Sequence, residues 1–221
     1  AKCPRKIRLT EVLLPLVKEQ VFAQLAEVPK ELQSALQNTL RYGNPMGESS
    51  RKRAAWAATA RTPVPIMAEI KRPVDVLWFV ECYTSYYGRG QDNSRATARL
   101  FNALGIDFAI LGNEEKCAGD CGQLTWESGL FETLTDYNME IFRKYRFGRL
   151  VTGDAHAFNA FRIRYPMYGF NYNLDHTTPF FARHIAQLKP KLKKPLNLTV
   201  TYHDACCLGR EEADARPGHD C

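Results

Sequence analysis

The stretch VDVLWFV, Val74–Val80, is apolar at every position but Asp75 and has the length of one strand. A run this short and this apolar reads as a strand. Outward from it, NSRATARLFNALG (93–105) is an amphipathic helix with a glycine stop, and DFAIL (107–111) is a second strand. SGLFETLTDYNMEIFRKYRFG (128–148) predicts a long helix, RLVTG (149–153) a third strand and AFNAFRIRY (157–165) a short helix. TTPFFARHIAQL (177–188) predicts another helix, ahead of a fourth strand over LNLTVTYH (196–203). Strands that alternate with helices make βαβ units, so the fold class is α/β with a mostly parallel sheet. Right-handed crossovers place the carboxyl ends of all strands on one edge.

Before Val74 the texture differs. Residues 9–42 carry apolar positions at helical spacing (Leu13, Leu16, Val17, Val21, Leu25), and Pro29 opens a second helix at its first turn. Ser50 is an N-cap for a short helix through Trp56, and ARTPVPIMAEIKRP (60–73) reads as a linker because prolines interrupt every period. The expected organisation is therefore a helical segment and linker over 9–70, an α/β module over 71–195, and the opening of a second module over 196–221.

With 221 residues, 45% of them apolar, the chain can bury one substantial core. The net charge of +6 is spread, and its densest run, KPKLKKP (189–195), lacks interleaved aromatics. It reads as a solvated loop, with no nucleic-acid surface expected. No apolar run approaches the roughly 20 residues of a membrane span. Seven cysteines in a chain too long for a small disulfide scaffold point to a reducing compartment and to metal-binding or redox thiols. A cytoplasmic protein, peripheral on the inner face of the membrane at most, is the expectation. The opening AKCPRKI and the closing REEADARPGHDC both read as cut ends.

The carboxyl edge of such a sheet is where ligands bind. Just past the predicted strands stand Cys82, then Cys117 and Cys121 in EKCAGDCG, then Asp154 and His156 in TGDAHAFN, then Cys206 and Cys207 in YHDACCLG. Thiolates gathered at one rim suit an iron–sulfur cluster or zinc, whereas free cysteines taken singly behave as small buried hydrophobes. Ala118, Gly119 and Asp120 separate Cys117 from Cys121, so the pair does not form the Cys-x-x-Cys of a thioredoxin-like redox site. A Cys117–His156 nucleophile pair lacks a sequence signal for an oxyanion hole. No GxGxxG or P-loop is present, so nucleotide binding is not expected. His176 and His184 read as satisfied polar contacts.

VDVLWFVECYTSY, LGIDFAILGNEEKCAGD, VTGDAHAFNAFRIRYP, DHTTPFFARHI and VTYHDACCLGR follow one another in an order that resembles the cysteine-rich CCG-domain iron–sulfur oxidoreductases. These are proteins similar to the B and D subunits of heterodisulfide reductase and to the iron–sulfur subunit of glycolate oxidase. RYGNPMG and KRAAWA resemble the helical lead-in of the D-like members, and CPRKI resembles the end of a ferredoxin-type module, which would occupy 1–8 and end at Cys3. The resemblance implies a cofactor of the 4Fe-4S type, with Cys82 and Cys117 in the first module and Cys206 opening a second, truncated one. It also implies partners: a ferredoxin-type module, an electron-transfer flavoprotein or FAD-linked dehydrogenase, and a membrane quinone-linked subunit. The chain would relay electrons between them.

The departures from the pattern are local. The doubled cysteine of the family loop is Cys117-Ala118 here, Cys121 is an extra thiol, and Asp154-Ala155-His156-Ala157 stands where Cys-x-x-Cys would. Asp154 and His156 are candidate iron ligands, or else polar remnants with Asp154 capping a helix. A cluster-free docking version of the fold and a mononuclear or zinc site are the alternatives.

Overall fold

The computed structural model describes residues 13–14, 17–18, 28–125, 127–194 and 196–201. Helix α1 (Lys30–Tyr42) starts directly after Pro29, which takes the N-cap position, and ends on Gly43 in the left-handed region at φ 71°. Ser49 rather than Ser50 caps the next turn, a 3-10 helix over Ser50–Lys52, and a second 3-10 helix spans Ala55–Thr59. A four-residue helix α2 (Met67–Ile70) leads into β1 (Val74–Phe79). Then come α3 (Cys82–Tyr86), α4 (Gly88–Leu104) and β2 (Phe108–Ile110). Helices α5 (Asp120–Thr125) and α6 (Ser128–Lys144) precede β3 (Phe147–Thr152). Helix α7 (Ala155–Asn159) runs into a π-helical turn over Ala160–Arg164 and a 3-10 turn over Tyr165–Tyr168. β4 (Leu174–His176), α8 (Thr177–Arg183) and α9 (Ile185–Leu188) complete the domain.

The sheet is all parallel, in the order β2-β1-β3-β4, so the α/β class read from the sequence is the observed one. Chain order reverses between β1 and β3, which places a crevice beyond their carboxyl ends. Side chains of β1 alternate between two cores. Leu77 and Phe79 face Phe131, Met139 and Phe142 of α6, while Val76 and Trp78 face Phe101 of α4 and Trp56. The sheet is thus covered on both faces, the reason β1 has no polar face to betray its alternation.

Two differences from the sequence reading concern the edges. The fourth strand is Leu174–His176, three residues paired to Leu150–Thr152, and it leaves almost no periodicity to read. The described part of the expected strand 196–203, residues 196–201, is exposed and forms no strand. Its β-branched composition fits a pleated surface, but propensity without a partner strand does not make one. At the opposite edge the proline-rich segment is anchored: Ile66 bridges Ile110, Ile110 N–H donates to the Pro65 carbonyl at 2.9 Å, and Met67 is fully buried. It covers the open side of β2, as edge strands require.

Candidate functional site

The site grows from the turn after β1. Glu81 follows the strand in a backbone conformation, φ 73° and ψ 172°, that glycine adopts freely and that costs other residues about 1–3 kcal/mol of strain. What holds it there is visible in its hydrogen bonds. Its N–H donates to Glu115 Oε1 at 2.8 Å, while its own carboxylate accepts from Cys82 N–H at 2.8 Å and Ala118 N–H at 2.7 Å. The side chain is buried and lies between the Cys82 and Cys117 loops. A ligand atom from each of Glu81, Cys82 and Cys117 lies within 4.8 Å of the others, the one such grouping of three ligand-capable residues among those described.

Cys82 opens α3 at 5% exposure, and Cys117 sits at 8% in the loop between β2 and α5. Cys121, within α5, brings its sulfur to 3.9 Å from Cys117 Sγ. Gly119, at φ 86°, turns the loop so that its N–H donates to Cys117 Sγ at 3.4 Å. The loop is fixed from behind: Asn138 of α6 donates to the Cys117 carbonyl at 3.0 Å, and the Tyr165 hydroxyl donates to the Ala118 carbonyl at 2.9 Å. From the lead-in, the Gly43 carbonyl accepts from Cys117 N–H at 2.8 Å.

A cation completes the arrangement. Arg53, 2% exposed, reaches in from the segment between the two 3-10 helices. It donates to Glu115 Oε1 through Nε at 3.2 Å and Nη2 at 2.9 Å, and Nη2 also donates to Cys82 Sγ at 3.4 Å. Glu115 in turn accepts from the N–H groups of Val80 and Glu81, both at 2.8 Å. Both oxygens of the Glu115 carboxylate are satisfied by these bonds, whereas Arg53 Nη1 is buried without a hydrogen-bond partner, and removing one member of a buried pair strands the other.

These neighbours split the acidities of three close groups. Burial pushes the Cys82 thiol up, but the hydrogen bond from Cys117 and the Arg53 guanidinium outweigh it and bring it down to about 6. Hydrogen bonds to Cys121 and Cys82, with burial, push Cys117 well above the ordinary thiol range. Burial, then the Cys82 thiolate and Asp154, push the Glu81 carboxyl well up. Of the two buried thiols, Cys82 is thus the more acidic, and the hydrogen bond to Cys117 holds the neighbouring Cys121 thiol below the ordinary range as well. An acid with a depressed folded value contributes stability that is complete above its unfolded value of roughly 8.5 and lost as pH falls through about 6. Thiolate absorbance of the metal-free protein should therefore show one sulfur titrating near 6, and Cys82→Ser should remove that step; a step that survives the substitution assigns the ionised sulfur elsewhere.

Of the expected site residues, Cys82 and Cys117 converge. Asp154 caps α7, accepting from Ala157 N–H at 2.8 Å, and His156 Nδ1 pairs with Asp120 Oδ2 at 2.7 Å. Cys206 and Cys3 lie outside the described residues. His176 and His184 make the polar contacts expected of them, His176 Nε2 to the Gly153 carbonyl and His184 Nδ1 to the Phe180 carbonyl. Neither period nor motif singles out Glu81, Arg53 and Glu115. Glu81 does carry a signal, an acidic residue set directly between an apolar strand and a cysteine; Arg53, 29 residues before Cys82, carries none.

Buried thiols at the carboxyl edge of a parallel sheet, held by loops from β1 and β2, define a cysteine-rich α/β domain. Residues 76–162 match the CCG family, described as a cysteine-rich domain, and form a domain of that family. Among curated proteins it is similar to the EtfAB:quinone oxidoreductase of Syntrophomonas wolfei, 32% identical over 94% of this chain and 29% of that protein. The probable iron-sulfur-binding oxidoreductase FadF of Bacillus subtilis is also 32% identical, over 95% of this chain and 30% of its own length. A component of the dihydromethanophenazine:CoB--CoM heterodisulfide reductase of Methanosarcina barkeri, its D polypeptide, is 34% identical over 76% of this chain and 41% of its own. The chain thus spans about three tenths of the first two relatives. No solved structure shows a significant match.

Proposed function

We propose that the chain is part of an iron–sulfur oxidoreductase that relays electrons between a ferredoxin-type cluster and a flavoprotein or quinone-linked partner. The observation that carries the reading is the match of residues 76–162 to a cysteine-rich domain, in a chain whose relatives are named for iron–sulfur binding and for quinone. An iron–sulfur group supplies one-electron transfer, and a protein sets its potential through ligands, hydrogen bonds to sulfur and burial. Arg53 and Gly119 already supply N–H groups to the sulfurs of Cys82 and Cys117. Among the described residues no helix is long and apolar enough to cross a membrane, so a quinone-linked partner would meet this domain at its surface.

The described donor set by itself does not fit a four-iron cluster. Such a cluster takes four thiolates, and here two buried thiols and Cys121 are joined by a carboxylate already bonded to two N–H groups. Of the six expected ligands, Cys3 and Cys206 lie outside the described residues; Cys3 would belong to the ferredoxin-type module and Cys206 to the second module, each with further thiolates of its own. The full chain, reconstituted anaerobically with ferrous iron and sulfide, should bind both and show a visible chromophore that bleaches on reduction. Cys206→Ser should lower the iron and sulfide bound. A reconstituted chain without a bleachable chromophore overturns the reading.

A further inference from the structure

The mismatch between the described thiols and a cluster has a physical form of its own. We infer that in this domain a protein-only network occupies the cluster position: Glu81 fills the space between the two cysteine loops, and Arg53 supplies the positive charge that iron would bring to Cys82.

Three observations converge on this. Glu81 sits in the glycine-type backbone region, which orients its carboxylate back between Cys82 N–H and Ala118 N–H, at 2.8 and 2.7 Å. Backbone N–H groups beside ligand cysteines are the donors that stabilise cluster sulfur, and here a carboxylate uses them. Arg53 donates to Cys82 Sγ at 3.4 Å and is held in place by Glu115 at 2.9 Å. A guanidinium in contact with a thiolate opposes a second cation at that sulfur, because like charges in a buried site repel strongly. Finally, Asp154 accepts from the Ala157 N–H and so caps α7, and its neighbour Ala157 is fully buried. These two positions beyond β3 thus serve helix capping and core packing instead of ligation. The strain at Glu81 is retained because the carboxylate's hydrogen bonds over-determine it.

The network involves the described thiols alone, so it stands or falls separately from the proposed electron relay. The test uses the full chain with Cys3, Cys206, Cys207 and Cys221 changed to Ser, leaving Cys82, Cys117 and Cys121 as the sulfurs that report. After anaerobic reconstitution with ferrous iron and sulfide, and separately with zinc, that background chain should hold only trace metal. Stoichiometric iron and sulfide, or one zinc per chain, overturns the inference. In the same background, Glu81→Gly with Asp154→Cys and Ala157→Cys restores space and two thiols. It should take up about four irons and four sulfides per chain, and Asp154→Cys with Ala157→Cys, which keeps Glu81, should take up far less. Equal uptake by these two variants shows that Glu81 is not the obstacle and overturns its part. If the larger variant does not fold, the background chain's metal content and that of the double-cysteine variant still decide the matter.

Discussion

Arg53→Met should lower the unfolding free energy by about 3–5 kcal/mol, read as a lower denaturant midpoint with unchanged slope, because it leaves a buried carboxylate without its cation. Methionine keeps most of the side-chain volume, so the loss is electrostatic more than steric. Glu115 would remain bonded to the Val80 and Glu81 N–H groups, both at 2.8 Å, with no counter-charge. Adding Glu115→Gln to Arg53→Met should return a large part of the loss, since both charges then leave the interior together. A double variant as unstable as the single one would show that packing, and not the pair, was lost. Arg53→Met should also raise the Cys82 thiol from its value of about 6, because the guanidinium is among the groups that hold it down.

Phe142→Ala should cost about 3–5 kcal/mol, the range for truncating a buried aromatic ring. Phe142 is fully buried and meets Phe79 of β1 at 6.1 Å between ring centroids, Phe147 at 6.2 Å and Phe161 at 5.7 Å. It is a point at which α6 is fixed to the sheet. The same helix carries Asn138, which donates to the Cys117 carbonyl. Loosening α6 should therefore speed amide hydrogen exchange over residues 117–119 more than in β2. Exchange that rises equally throughout the domain would mean that the thiol loop is not held through α6. A packing residue and the geometry of the site are in this way linked through one helix.

The lead-in illustrates where reading by periodicity stops. Its helix α1 was legible from Pro29, and the structure begins that helix at Lys30. That its following segment delivers Arg53 to Cys82, and that Gly43 binds the Cys117 backbone, was not legible. A basic residue among alanines looks solvated when only neighbours in sequence are known. The long helix at 128–148 was legible for the opposite reason, since its apolar stripe repeats over several turns; its true end at Lys144 falls earlier because Phe147 is drawn into β3 beside Val74.

By itself, the sequence determined the α/β class, three of the four strands, both long helices of the domain and the convergence of Cys82 with Cys117, because these rest on short apolar runs, on helical period and on the rule that parallel strands share one carboxyl edge. Only the tertiary structure decided β4, whose Leu174-Asp175-His176 offers no apolar run to read, and the ionic network around the thiols. That network joins residues 53, 81, 82, 115 and 117, and its acidities come from burial and from a guanidinium brought across 29 residues of chain. Desolvation and Coulomb contact depend on distance in space, and a sequence records distance only along the chain.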